Sequence, residues 1–203
     1  MAFPSCLPRR SSANTISMAS HGLIIPHRPD HHWTVEEVLA LPDDGNRYEV
    51  IAGELLVSPS PRRLHHLVLG RIYYALTAHA KAHGLEDVVA MAPADISWSD
   101  DTLVQPDVFI IAPEQRHNEW AGVTNLLLVI EVLSPSTALR DRNVKRRLYQ
   151  QYVPEYWIVD PDEHAVEVWR RGDDAPHIER ETLVWQSELA MPALTWDVRE
   201  LTK

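Results

Sequence analysis

Two apolar runs, each bounded by a single carboxylate, constrain this chain more than any other feature. Residues 108–112 read Val-Phe-Ile-Ile-Ala and follow Pro106-Asp107; residues 126–130 read Leu-Leu-Leu-Val-Ile and end in Glu131. Runs of that length and apolarity read as strands of a buried sheet. Paired antiparallel, the start of the first lies beside the end of the second. The register follows from symmetry, because Asp107 and Glu131 are equidistant from residue 119, the middle of the intervening loop. Two acids then meet at one end of a buried sheet, where a divalent cation is the usual reason to hold them together. Lys145 falls on a helix expected to leave the same end. Two acids and a lysine at a sheet end are the layout of a metal-dependent phosphodiesterase.

The rest of the chain sets bounds on that reading. With 203 residues, 45% of them hydrophobic, it can build one compact domain, placed at residues 30–203. No continuous apolar stretch approaches about 18 residues, so no transmembrane helix and no membrane association are expected. The only cysteine, Cys6, excludes a disulfide within the chain and points to a reducing, cytoplasmic setting. A net charge of -10 argues against a surface coated for nonspecific nucleic-acid binding, though not against a local basic patch. Residues 1–29 carry Arg9, Arg10 and Arg28 but no acid, and are rich in serine, proline and small residues. They read as a flexible extension, or as the result of a start placed upstream of Met18; an organellar transit peptide is the other reading.

Local signals supply the elements. Thr34 and Glu37 form a capping-box pattern that opens a short helix through about residue 41. Residues 47–51 and 54–58 are strands joined by Ala52-Gly53 in a tight hairpin, and Pro59 and Pro61 end that sheet. Between residues 64 and 83 the apolar positions Leu64, Leu67, Val68, Ile72, Ala75, Leu76 and Ala80 recur at helical spacing, with Gly84 as the stop. Short strands follow at 88–91 and 95–98. After Glu131, Ser134-Pro135-Ser136-Thr137 breaks the pattern; a helix spans about 140–152, Pro154 ends it, and residues 155–161 form a buried strand. Strand, helix, strand suggests a right-handed crossover. Residues 165–170 alternate as an outer strand does, and 178–184 hold further short strands before a tail. The fold class is α/β (α+β): a mixed β-sheet flanked by helices, with an N-terminal β-hairpin.

The chemistry follows from residue types. Hydrolysing a phosphodiester requires a nucleophilic water, neutralisation of the phosphate charge and help for the leaving oxygen, and Mg²⁺ or Mn²⁺ contributes to all three. Such hard ions take oxygen ligands: the carboxylates of Asp107 and Glu131, and the backbone carbonyl of Val132. Lys145 is placed to orient or deprotonate water, or to stabilise developing negative charge. Singly, Asp107 also reads as a turn residue after proline and Glu131 as a rim residue. A carboxylate that ends so apolar a run nevertheless needs a partner. Asp141, Lys145 and Tyr149 recur on one helix face; an exposed ion pair would explain the first two but not Tyr149. Arg140, Arg142, Arg146 and Arg147 surround this stripe, either as a surface for a polyanionic substrate or as a solvated helix face. His65-His66 read mainly as surface residues at a helix start, and His31-His32 as a polar lead-in. No His/Cys spacing supports zinc, and neither a glycine-rich phosphate loop nor a Gly-x-Ser-x-Gly elbow is present. The seven tryptophans read as core or interface residues.

Several segments recur in a known order: Tyr48-Glu49-Val50-Ile51-Ala52-Gly53-Glu54-Leu55; Gln105-Pro106-Asp107; Val129-Ile130-Glu131-Val132-Leu133-Ser134-Pro135-Ser136-Thr137; Asp141, Lys145 and Tyr149; and Val153-Pro154-Glu155-Tyr156-Trp157-Ile158-Val159-Asp160-Pro161. Over about residues 33–170 the chain resembles the bacterial Uma-two family, grouped with restriction endonucleases in the PD-(D/E)XK nuclease superfamily. The resemblance implies a restriction-endonuclease-like core with a divalent metal at Asp107 and Glu131. The superfamily lysine two residues after the acid is Leu133 here, and the resemblance moves that role to Lys145. A supporting acid is expected from the hairpin, with Glu54 preferred to Glu49, which is otherwise a partner of Arg47 or Lys145. The resemblance also places a histidine near His65. The implied activity is a Mg²⁺- or Mn²⁺-dependent endonuclease acting on DNA, with a homodimer as a compatible assembly. The alternatives are a nuclease-fold module that binds nucleic acid or a protein without cutting, and a hydrolase of other phosphoesters.

Overall fold

The computed structural model describes residues 30–203; the N-terminal extension, with Cys6 and Met18, lies outside the described residues. In chain order the helices are α1 (Val35–Leu39), α2 (Arg63–Lys81), α3 (Ala138–Arg140), α4 (Arg146–Tyr152) and α5 (Val198–Thr202). The strands are β1 (Arg47–Ile51), β2 (Glu54–Ser58), β3 (Val89–Met91), β4 (Ile96–Ser99), β5 (Thr102–Val104), β6 (Val108–Ile111), β7 (Leu126–Val132), β8 (Glu155–Asp160), β9 (Ala165–Arg170), β10 (His177–Glu179), β11 (Thr182–Trp185) and β12 (Leu194–Asp197).

Six strands form the main sheet in the order β10-β9-β8-β7-β6-β3. Its centre is the pair of apolar runs. Val108 stands opposite Ile130, Phe109 opposite Val129 and Ile110 opposite Leu128. One step back along that register, Asp107 stands opposite Glu131, as the symmetry of the sequence requires. A shift at Ile111 and Leu126 affects only the far end of the pair. β8 runs parallel to β7, so the chain between them must cross over, and α3, a π-helical turn at Asp141–Lys145 and α4 make that crossing. The other pairings of this sheet are antiparallel. The mixed sheet and its helices are the expected fold class.

A second sheet, β2-β1-β5-β4, carries the N-terminal hairpin. Its two-residue turn places Ala52 at φ 50 and Gly53 at φ 78, the left-handed pair that matches strand twist in a tight hairpin. A Cβ on Gly53 would overlap the His32 ring. Thr34 and Glu37 complete their reciprocal capping box at α1. Under α1, Trp33, Val38, Tyr48, Val50 and Leu103 form a small apolar cluster on this sheet.

The larger core lies around the six-stranded sheet. Val68, Leu69, Ile72, Leu76 and Ala80 form the buried stripe of α2, which packs on β3, β6 and β7, while α4 packs on β8 and β9. Trp157 of β8 meets Trp185 and Trp196 edge-on, with ring centroids 6.4 and 5.6 Å away, which docks the β11-β12 hairpin against the core. β5, β12 and α5 were not foreseen. β5 is three residues long, too short to show a period, and β12, at four residues, shows its Leu194-Thr195-Trp196-Asp197 alternation over too short a run to stand out. Among the described residues no helix is long and apolar enough to cross a membrane.

Candidate active site

The end of the main sheet and the hairpin sheet meet at a cavity of about 250 Å³, lined by Arg47, His65, Asp107, Glu131, Val132, Asp141 and Lys145 among others. β6 and β7 bring in Asp107 and Glu131 because their apolar residues are buried and the register sets the two acids side by side. The crossover returns Asp141, Lys145 and Tyr149 to the same place. All three are buried, at 2%, 4% and 0% exposure, so the stripe on this helix is an interior one and not a surface ion pair.

Lys145 is the hub. Its Nζ donates to Glu131 Oε1 at 2.9 Å and lies 3.0 Å from Glu49 Oε1. The Tyr149 hydroxyl donates to the same Glu131 oxygen at 3.0 Å. Burial alone would lower the Lys145 pKa, but the charges of Glu131, Glu49 and Asp141 outweigh it and hold the ammonium form. Burial, with the charges of Asp107, Asp141 and Glu49, pushes Glu131 well above the ordinary carboxylate range, against the pull of Lys145.

Asp107 is engaged at both oxygens. Arg47 donates to Oδ1 at 2.9 Å and the Val132 amide to Oδ2 at 2.9 Å. Burial opposes its ionisation, yet the His65 ring, the Arg47 charge and the Val132 amide together hold it below the ordinary range. His65, read from the sequence mainly as a surface residue, instead enters the interior from the first turn of α2, 7% exposed, with Nδ1 at 3.0 Å from the Val132 carbonyl. The backbone of Val132 is thus tied on both sides.

Two further expectations need correction. Glu54, expected as the supporting acid, is exposed; Glu49, 1% exposed and 3.0 Å from Lys145, takes the place. Both lie on the same face of the hairpin, since Glu54 stands opposite Ile51 and Glu49 opposite Leu56. Position along the strand separates them: Glu54 is at the turn, and Glu49 is mid-strand where the Gln105 amide caps its Oε1 at 2.8 Å. The arginine cluster is also not a free basic surface. Arg142 pairs with Asp160 and Glu167 at 2.8 and 2.6 Å, Arg140 donates to the Val57 carbonyl, and Arg146 bonds Gln150 and lies over the Trp169 ring. Arg147 is exposed. Arg47, the partner of Asp107, was missed as a site residue. Its signal was two-residue spacing from Glu49 on one strand, which sets both on one face.

The Uma2 family, described as "Putative restriction endonuclease", matches residues 35–199. The fold is similar to the crystal structure of "a putative nuclease belonging to DUF820 from Anabaena variabilis ATCC 29413", with a TM-score of 0.66 and 18% sequence identity over 84% of this chain and 97% of that one. At that identity the likeness is one of fold. No curated protein matches. The family match takes in both sheets and every acid and base of the cavity, and on it the chain belongs to the Uma2 family of nuclease-fold proteins.

Proposed function

We propose that this protein is a metal-dependent endonuclease that hydrolyses phosphodiester bonds in DNA. The observation that carries the reading is an excess of buried negative charge. Glu49, Asp107, Glu131 and Asp141, all under 4% exposed, converge on two permanent cations, Arg47 and Lys145. Buried carboxylates need compensation; with two cations among four acids, burial and mutual repulsion push Glu131 and Asp141 up, and a divalent cation would supply the missing compensation.

The donor set fits such an ion. Among the described residues no three His, Cys, Asp or Glu side chains are grouped to hold a metal by themselves, but Mg²⁺ keeps several waters and takes only one or two carboxylates. Both hydrogen bonds to Glu131 go to Oε1, and among the described residues Oε2 accepts none. That oxygen, Asp107 and the second lone pair of the Val132 carbonyl are the ligands available to it. When bound, the ion supplies a nucleophilic water and neutralises phosphate charge.

The protein's own groups supply position and field. Lys145 fixes Glu131 and Glu49 and sets a permanent positive charge beside the phosphate position, where developing negative charge is stabilised. Arg47 orients Asp107. Ser58 on the cavity wall is a donor of the kind that holds phosphate oxygens, whereas Ser60 and Asn46 donate to Gly45 and Asp44 within the fold.

The test is cleavage of plasmid, linear and single-stranded DNA with Mg²⁺, Mn²⁺ or EDTA, with Asp107→Ala in parallel. Metal-dependent cutting that is lost in the variant supports the reading. Salt-sensitive DNA binding without cutting would replace it with a binding module, and turnover of small phosphodiesters but not DNA with a different hydrolase.

A further inference from the structure

We propose that the Arg47 guanidinium is a phosphate clamp: the edge that the fold leaves unpaired takes the non-bridging oxygens of the scissile phosphodiester, with the Ser58 hydroxyl beside it. The proposal rests on the endonuclease reading above. It gives the substrate phosphate a seat on the hairpin sheet, built from residues other than the cation's ligands.

Arg47 opens β1 on the cavity wall, with its side chain 23% exposed. A guanidinium carries five N–H donors in one plane, two on each Nη and one on Nε. Nη1 gives both of its protons to the fold, one to Asp107 Oδ1 at 2.9 Å and one to the Gln105 carbonyl at 3.2 Å. Two bonds from one nitrogen fix the group without the use of Nε or Nη2. Among the described residues those two nitrogens have no acceptor. Together they form the fork that matches a carboxylate or a phosphate in two parallel hydrogen bonds. The nearby acids do not fill it. Glu49 is held by Lys145 and the Gln105 amide, and Glu131 by Lys145 and Tyr149. Ser58 stands directly opposite Arg47 across the hairpin, so its side chain leaves the same face of the sheet. It also lines the cavity, and its hydroxyl has no partner among the described residues. Two sets of unused donors thus lie side by side, one of them permanently charged. An anionic phosphodiester satisfies both, and the fixed charge counters the negative charge that grows on its oxygens during attack.

The experiment is heteronuclear NMR of the arginine Nε–H groups of the full chain in Mg²⁺. The probe is an uncleavable dithymidine phosphonate, in which a methylene replaces the leaving oxygen; neutral dithymidine methylphosphonate is the control. The Arg47 resonance is assigned through its backbone, so this readout needs no variant. The anionic probe is expected to move the Arg47 Nε–H resonance downfield and to slow its exchange with water, and the neutral one to do neither. Arg47→Lys keeps a charge beside Asp107 but has no fork, and is expected to bind the anionic probe at least about tenfold more weakly, the loss of one charged hydrogen bond. Binding of the anionic probe with the Arg47 resonance unmoved, or equal affinity for the neutral one, overturns the clamp and leaves the endonuclease reading intact; such an Arg47 only positions Asp107. A shifted Arg47 resonance in a protein that cuts no DNA with any metal keeps the clamp and overturns the reading. No binding of the anionic probe overturns the clamp, and the cleavage assay above then decides the reading alone.

Discussion

At the scale of single residues, Lys145 decides the behaviour of the site. It is buried between Glu131 and Glu49, so it serves structure and chemistry together. Removing one member of a buried ion pair leaves the other uncompensated, at a cost of about 3–5 kcal/mol. Lys145→Ala is therefore expected to lose activity and also to unfold at lower urea, by about that amount. Adding Glu49→Gln in the same chain should restore part of the stability and none of the activity; a double-mutant cycle in urea measures the coupling. Tyr149→Phe deletes one hydrogen bond to Glu131 and is expected to cost about 1.5–3 kcal/mol if that carboxylate is ionised, with less effect on turnover than Lys145→Ala. Legibility at this scale was uneven. Asp107 and Glu131 could be read because each terminates an apolar run. The sequence ranks Glu54 above Glu49 and the structure reverses the order, since their burial depends on where a second sheet abuts the first.

At the scale of elements, local chemistry carries the N-terminal sheet. The α1 capping box uses Thr34 and Glu37 reciprocally, and Thr34→Ala is expected to destabilise by about 1 kcal/mol in thermal or denaturant unfolding. Hydrogen bonding from the Thr34 backbone, aided by His31 and against slight desolvation, lowers the Glu37 carboxyl below its ordinary value of 4.5. A group with a lowered folded pKa contributes stability above the unfolded value and loses it as pH falls through the folded one. Amide exchange of α1 should thus accelerate as pH falls below about 4.5 relative to the intrinsic rate, and Glu37→Gln should remove that dependence. At the hairpin, Gly53→Ala meets both a positive φ and the His32 ring; a melting-temperature drop larger than for Ala52→Gly, which relieves a positive φ, is the expected result. The hairpin, capping box and long helix were legible because each is set by neighbours in sequence.

At the scale of the whole molecule, the main sheet brings Asp107 at the start of β6, Glu131 of β7, a lysine from the crossover, a histidine from α2 and a second sheet's Arg47 to one cavity, with Glu49 of that sheet paired to the lysine behind it. A cation that binds only the assembled site stabilises the fold by mass action, by about 2.7 kcal/mol at a hundredfold excess over its dissociation constant. Mn²⁺ should therefore raise the melting temperature, EDTA should reverse the rise, and Asp107→Asn should abolish it. The acidic surface and the intramolecular commitments of Arg140, Arg142 and Arg146 imply that DNA binding without metal is weak. Filter-binding titrations at low salt, with and without Mn²⁺, are expected to differ by more than tenfold, in line with the steep effect of each neutralised charge.

The sequence by itself determined the central strands, their antiparallel register and the meeting of Asp107 with Glu131. Length, apolarity and loop symmetry are local quantities, and burying two such runs admits little else. It also determined the crossover helix and the shared face of Asp141, Lys145 and Tyr149, through helical spacing. Only the tertiary structure decided that this face turns inward, that Glu49 and not Glu54 meets Lys145, that the arginines pair within the fold, and that His65 is buried against Asp107. Each of these depends on contacts between elements far apart in the chain, and charged side chains take their partners from packing, not from their neighbours in sequence.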